Sequence, residues 1–186
     1  MQGSRPGQMT DDWGCLKAAR GGDEHAWRVL FERHYPMLVR MTSYITGSLE
    51  TAQDLAQESF VRLLRAEIKH HDGSFKSFLS TIAYRLALKE RKRNSSDSKL
   101  DPALIADGSP TPLEQAIQDE TDVAIIRVIQ SLSIEHREIL TLRYVGEHSY
   151  EEIVGITGVP IGTVKSRIFY AIKTCQEKLR EQGVFK

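Results

Sequence analysis

Apolar residues recur at intervals of three and four along nearly the whole chain, a period that suits α-helices and leaves no alternating stretch for a strand. Asp11–Arg20 reads as a short helix closed by Gly21-Gly22. Asp23 is placed to cap the next, which buries Trp27, Leu30 and Phe31 and runs to Gly47, with Pro36 kinking or restarting it. Ser48 heads a third helix that turns Leu55, Phe60, Leu63 and Leu64 towards a core and fades near Glu67. After the loop "KHHDGS" a fourth runs from Phe75 to Arg93. The next stretch, "NSSDSKLDPALIADGSPTP", is rich in Ser, Asp and Pro and has little periodicity, as a linker would. Helices resume at Leu113–Ser131 and at Ile134–Val145 behind Ser133. Tyr150–Thr157 follows the capping box Ser149-x-x-Glu152, and the last helix runs from Pro160 almost to the end. The expected fold class is all-α: two small helical domains joined by a flexible linker, the C-terminal one a helix-turn-helix. The expected boundaries are a leader at 1–10, a first domain at 11–93, the linker at 94–112 and a second domain at 113–186.

Composition narrows the function classes. Of 186 residues, 40% are hydrophobic and 27% charged, as in ordinary globular chains, so each half can bury a modest core. Met1–Gln8 reads as a leader or cloning remnant, with Met9 a second candidate start. No apolar run is long enough for a signal peptide or a membrane span, so a cytoplasmic chain without membrane insertion is expected. Cys15 and Cys175 form no CxxC pattern and read as small hydrophobes in a reducing compartment. His70, His71 and Asp72 are adjacent rather than spaced along a helix face, so no metal or cofactor is expected. Neither a nucleophile–base motif nor a phosphate-cradling Gly-rich loop appears, which argues against an enzyme and against a small-molecule substrate.

The zero net charge conceals a segregation. Lys76–Arg93 holds six cations against one carboxylate, and Ile161–Lys186 six against two, while Leu113–Pro160 holds three against nine. Two basic islands, one per half, fit either a nucleic-acid interface or plainly solvated helix faces. The second island opens with "GVPIGTVKSR", a helix tip of small residues followed at once by cations. Such a tip suits close docking in a major groove. Gly162 admits the backbone, Thr163 and Ser166 offer hydroxyls, and Lys165, Arg167 and Tyr170 can reach phosphates or base edges.

"SYEEI" (Ser149–Ile153) and "GTVKSR" (Gly162–Arg167), at this spacing, resemble the promoter-reading C-terminal domain of bacterial sigma factors, above all the extracytoplasmic-function (ECF) type. Response-regulator output domains carry a similar helix-turn-helix, but usually with His where this chain has Arg167, and behind a receiver domain. "DLAQESFVRLLRA" (Asp54–Ala66) is similar to the sigma segment that grips the polymerase clamp. That resemblance makes Asp54, Gln57, Glu58 and Arg62 the expected contacts with core RNA polymerase. "FKSFLSTIAYRLALKERKR" (Phe75–Arg93) resembles the helix that engages the −10 promoter element. It implies DNA contacts from His70, His71, Ser74, Lys76, Arg85, Lys89, Arg91, Lys92 and Arg93, with Gly162, Thr163, Lys165, Ser166, Arg167 and Tyr170 on the −35 element. The chain departs from the family at Phe78, Arg85 and Lys89, where Trp, Asn and Asp are common; the two cations favour backbone contact over direct base readout. The resemblance spans Asp12 to Leu179 and implies core polymerase, promoter DNA and an anti-sigma factor, often membrane-bound, as partners. The competing readings are a stand-alone helix-turn-helix regulator and a helical adaptor working through protein contacts alone.

Overall fold

The structure, a computed structural model, describes residues 11–68, 73–97 and 120–183. Within them all regular structure is helical: α1 (Asp12–Arg20), α2 (Glu24–Thr46), α3 (Leu49–Arg65), α4 (Phe75–Asp97), α5 (Glu120–Gln130), α6 (Ile134–Tyr144), α7 (Tyr150–Thr157) and α8 (Ile161–Glu181). The helix starts are set locally. Asp11 accepts from the N–H groups of Trp13 and Gly14 at 3.1 and 3.0 Å, Asp23 from Ala26 at 3.0 Å, and Ser48 from Thr51 at 3.2 Å. Each bond satisfies a donor that the first turn leaves unpaired. Gly47, with φ at +78°, closes α2 in the left-handed conformation that glycine adopts without strain.

Two local expectations are corrected, the end of α4 and the placing of Leu64, and a third is narrowed: α2 continues through Pro36 as one helix and does not restart there. α4 runs on to Asp97, past Arg93, because Asn94–Asp97 contain no Gly or Pro and extending an existing helix is cheap. Ser133 stands at the N-cap of α6 as expected, though without a side-chain capping bond. Leu64 is 36% exposed rather than turned into the core, since the buried side of α3 is filled by Ala52, Ala56, Ser59, Phe60 and Leu63. The remainder of the expected linker and residues 113–119 lie outside the described residues.

α1–α4 pack around Leu30, Leu38, Met41, Phe60, Leu63 and Leu79, all at or below 1% exposure. Phe60 meets Trp27 edge-on at 5.5 Å and Phe31 at 4.9 Å, and Trp13 meets Phe75 edge-on at 5.1 Å, geometries that aromatic quadrupoles favour. Arg20 ties α1 to the end of α3 by donating to the carbonyls of Leu63 and Ala66 at 2.6 and 2.7 Å. In α5–α8 the stripe Val164, Ile168, Ala171 and Leu179 is buried as its spacing requires, with Cys175 half-buried beside it. The two groups also touch one another. Ile139, Leu142, Ile153 and Ile156 join the same core as the first four helices, α2 lying on α6 and α4 on α7.

Candidate nucleic-acid interface

α7, a turn through Gly158 (φ +73°) and α8 form the helix-turn-helix. Its first helix is locked by a reciprocal capping box. The Glu152 N–H donates to Ser149 Oγ at 3.1 Å, and the Ser149 N–H donates to Glu152 Oε2 at 3.0 Å. Pro160 stands immediately before α8 and offers no side-chain cap, so among the described residues the N–H donors of that helix's first turn face no capping side chain and suit an anion. Gly162, Lys165, Ser166 and Tyr170 are exposed on α8, while Thr163 and Arg167 are half-buried. The Ser166 hydroxyl donates back to the Thr163 carbonyl at 3.0 Å.

Three neighbours of this tip escaped the sequence reading. Arg143 and Lys165 stand over the Tyr150 ring, 5.3 and 5.9 Å from its centroid. Phe169, 63% exposed, meets the Tyr170 ring edge-on at 5.4 Å. The exposed large apolar residue is a signal the sequence carries, because Phe169 falls on the solvent side of the stripe that begins at Val164. The Arg143–Tyr150 contact is invisible without the turn that folds α7 back on α6.

On α4 the expected cations sort into two sets. Arg85, Lys89, Lys92 and Arg93, at helical spacings of four, three and one, are exposed together; Arg93 also pairs with Glu90 at 2.7 Å. Arg91 points elsewhere, to Glu138 of α6 at 2.8 Å. Ser74 donates to Glu152, and Lys76 reaches the Glu147 carbonyl at 3.4 Å. His70 and His71 lie outside the described residues.

The α3 stripe forms a continuous ridge. Asp54, Gln57 and Arg62 are exposed, Glu58 is half-buried and bridges Arg62 at 2.7 Å, and Val61 and Leu64 add 38% and 36% exposed apolar surface. Charged residues beside exposed apolar ones suit a protein contact better than a purely solvated face.

Between the halves lie the groups whose ionisation the fold changes most. Burial pushes the His148 imidazole down to about 4, against the nearby Glu152 charge, which favours protonation. Burial first, and then the Glu138 charge, hold the Tyr84 phenol well above its usual range. Among the described residues no three His, Cys, Asp or Glu side chains gather as metal ligands would, and no helix is long and apolar enough to cross a membrane.

Comparison with known proteins agrees with this geometry. The family model for sigma-70 region 2 matches residues 30–96, and that for sigma-70 region 4 matches residues 122–175. The ECF RNA polymerase sigma factor SigL of Mycobacterium tuberculosis is 29% identical, over 91% of this chain and 97% of that protein. The ECF RNA polymerase sigma-E factor of Salmonella typhimurium is also 29% identical, over 93% and 96%. In fold, the chain is similar to CnrH, solved with the cytosolic domain of CnrY (TM-score 0.67, 18% identity, 91% of this chain and 97% of that one). It is also similar to the sigma factor RpoE of Bartonella quintana, solved with the anti-sigma factor NepR (TM-score 0.58, 24% identity, 83% and 96%). With both regions matched in order and the helix-turn-helix formed where the second match lies, the chain belongs to the ECF class of sigma-70 RNA polymerase sigma factors.

Proposed function

We propose that this sigma factor docks on core RNA polymerase through the α3 ridge, engages the −10 element through α4 and reads the −35 element through the tip of α8. The observation that carries this reading is the coexistence on one chain of a mixed polar and apolar ridge, Asp54–Arg65, and two separate cationic helix faces. On α4, Arg85, Lys89, Lys92 and Arg93 hold phosphates, each neutralised phosphate steepening the salt dependence by roughly 0.9 in log–log slope. On α8, Lys165 and Arg167 contact phosphates or guanine, Thr163, Ser166 and Tyr170 add polar contacts, and Gly162 keeps the approach open. Residues 11–93 and 113–186 serve as the two functional domains. Bond formation belongs to polymerase; the chain supplies address and strand opening and works in the cytoplasm. An anti-sigma partner fits, since the similarly folded RpoE was solved with the anti-sigma factor NepR and CnrH with the cytosolic domain of CnrY.

Run-off transcription with purified core polymerase on promoters from the source genome tests the whole reading. Initiation at specific sites is expected, and an intact chain that directs no start overturns it. Asp54→Ala with Glu58→Ala is expected to abolish core binding while helical circular dichroism stays intact; unchanged binding removes the α3 ridge from the docking surface. A stand-alone regulator would bind duplex DNA with no need for the ridge, so loss of transcription in that double variant also discriminates against it.

A further inference from the structure

The side of α4 that carries Ser80, Tyr84 and Arg91 meets the helix-turn-helix half instead of solvent. At its centre is Glu138 of α6, 8% exposed. One of its carboxylate oxygens accepts from the Tyr84 hydroxyl at 2.9 Å and the other from Arg91 Nη1 at 2.8 Å. Further towards the start of α4, the fully buried His148 lies 2.9 Å from Ser80 Oγ, Ser74 donates to Glu152, and Lys76 reaches the Glu147 carbonyl. Ser74, Lys76 and Arg91 are thus engaged by acceptors of α6, α7 and the loop between them. Arg167 of α8 is close enough to act electrostatically on the Tyr84 phenol, so cations meant for both promoter elements face one seam. A guanidinium and a hydroxyl converging on two anionic oxygens is the donor set that would hold a DNA phosphate.

Reach makes the seam consequential. The −10 and −35 elements lie about 25 base pairs apart by their names, on the order of 85 Å at 3.4 Å per step. A compact chain of this length has a radius of gyration of about 16 Å. No closed form spans both elements, so the contacts across the seam must break before a promoter is read.

We propose that Glu138 is an internal stand-in for a DNA phosphate: it occupies Arg91 and Tyr84 and latches the helix-turn-helix half on α4, so that the free chain masks the Arg91 edge of its DNA-binding surface and holds the two halves too close to reach both elements. This rests on reading α4 as a DNA-facing helix. The latch lowers apparent DNA affinity by the fraction of molecules that are open, and whatever separates the halves, polymerase first among candidates, removes that handicap.

Glu138→Gln keeps the shape and removes the charge. Anisotropy of a fluorescein-labelled 20-base-pair duplex at low salt, without polymerase, is expected to show about tenfold tighter binding than wild type, the scale of one lost charge-assisted bond. Small-angle scattering is expected to show a larger radius of gyration. Glu177→Gln, which removes an exposed carboxylate on α8 away from the seam, is expected to leave both unchanged and so corrects for the gain of net positive charge. Tyr84→Phe, which removes only the hydroxyl, is the second variant if Glu138→Gln fails to fold; a smaller shift in the same direction is expected. Affinity and size that stay at wild-type values in a folded variant overturn the latch. So does a wild-type chain whose scattering already shows two separated halves. Run-off transcription separates the two levels: initiation by wild type together with silent seam variants sinks the latch alone, whereas no initiation at all sinks the reading beneath it.

Discussion

Gly146 has no room for a methyl group. A Cβ there would stand 2.7 Å from the His148 ring and 2.9 Å from the Leu142 carbonyl oxygen, closer than packed atoms tolerate. Since φ is not the constraint at this position, the reason for glycine is the buried imidazole pressed against the end of α6. Gly146→Ala must displace either that ring or the helix end, and the expected cost is about 1–3 kcal/mol, the range for overpacking a close-packed site. The urea midpoint is expected to fall without loss of helical content, and hydrogen exchange is expected to rise along α4 and α7, on both sides of His148. A midpoint within error of wild type would mean that the ring relocates without penalty, and hence that its bond to Ser80 holds nothing together. The adjacent Glu147 carries the left-handed backbone instead, with φ at +53°. The turn therefore divides its demands, small volume at one residue and an unusual backbone at the next.

At the scale of helices, how much the sequence discloses depends on how far apart the interacting groups lie. The starts at Asp23, Ser48 and Ser149 are legible because each capping oxygen and the N–H it accepts are three residues apart. The buried stripe of α8 is legible for the same reason, because its period belongs to one helix. The division of α4 into two cationic faces is not legible. The partner of Arg91 lies 47 residues away on α6, and a run of alternating Lys, Glu and Arg does not say which member will find it. Leu64 fails similarly: its spacing fits the apolar stripe of α3, but among the described residues no helix covers that edge. On α8 the division between core and solvent faces leads to a measurable difference between cations. Lys165 is exposed at the tip and stacked with Tyr150, whereas Arg167 is half-buried beside the seam. Lys165→Ala is therefore expected to weaken binding of the holoenzyme to −35 DNA about equally across sequences and to lower the log–log salt slope by about one. Arg167→Ala is expected to relax base preference within that element more than it changes the slope. Identical slopes for wild type and Lys165→Ala in filter-binding titrations would place that ammonium away from the phosphates.

The whole molecule holds its two halves together partly through groups that acid alters. His148, in the loop between α6 and α7, is fully buried, with Ser80 and the Lys76 charge facing it from α4 and Glu152 from α7, 3.6 Å from Nδ1. Its pKa falls from 6.5 when free to about 4 in the fold, so the unfolded chain binds the extra proton over that window. Stability is then fully present above pH 6.5, is lost as pH falls towards 4, and changes no further from this group below that, for a total on the order of 3 kcal/mol. Burial also pushes His34 down, adding to the loss with the same sign, although its partner Asp12 opposes the shift. Glu152, held below the usual carboxylate range despite its partial burial by bonds from Ser74 and the Ser149 N–H, adds its own loss at the acid end as it protonates. His148 differs from His34 in where it sits: its imidazole bonds across the seam, whereas His34 bonds within the first four helices. Protonation should therefore part the halves before it unfolds either one. Small-angle scattering between pH 7 and 5 is expected to show the radius of gyration rising while far-ultraviolet circular dichroism stays constant, with His148→Asn much less responsive over the same range. A rise in size that coincides with loss of helicity, equal in both proteins, would mean that the seam titrates through some other group.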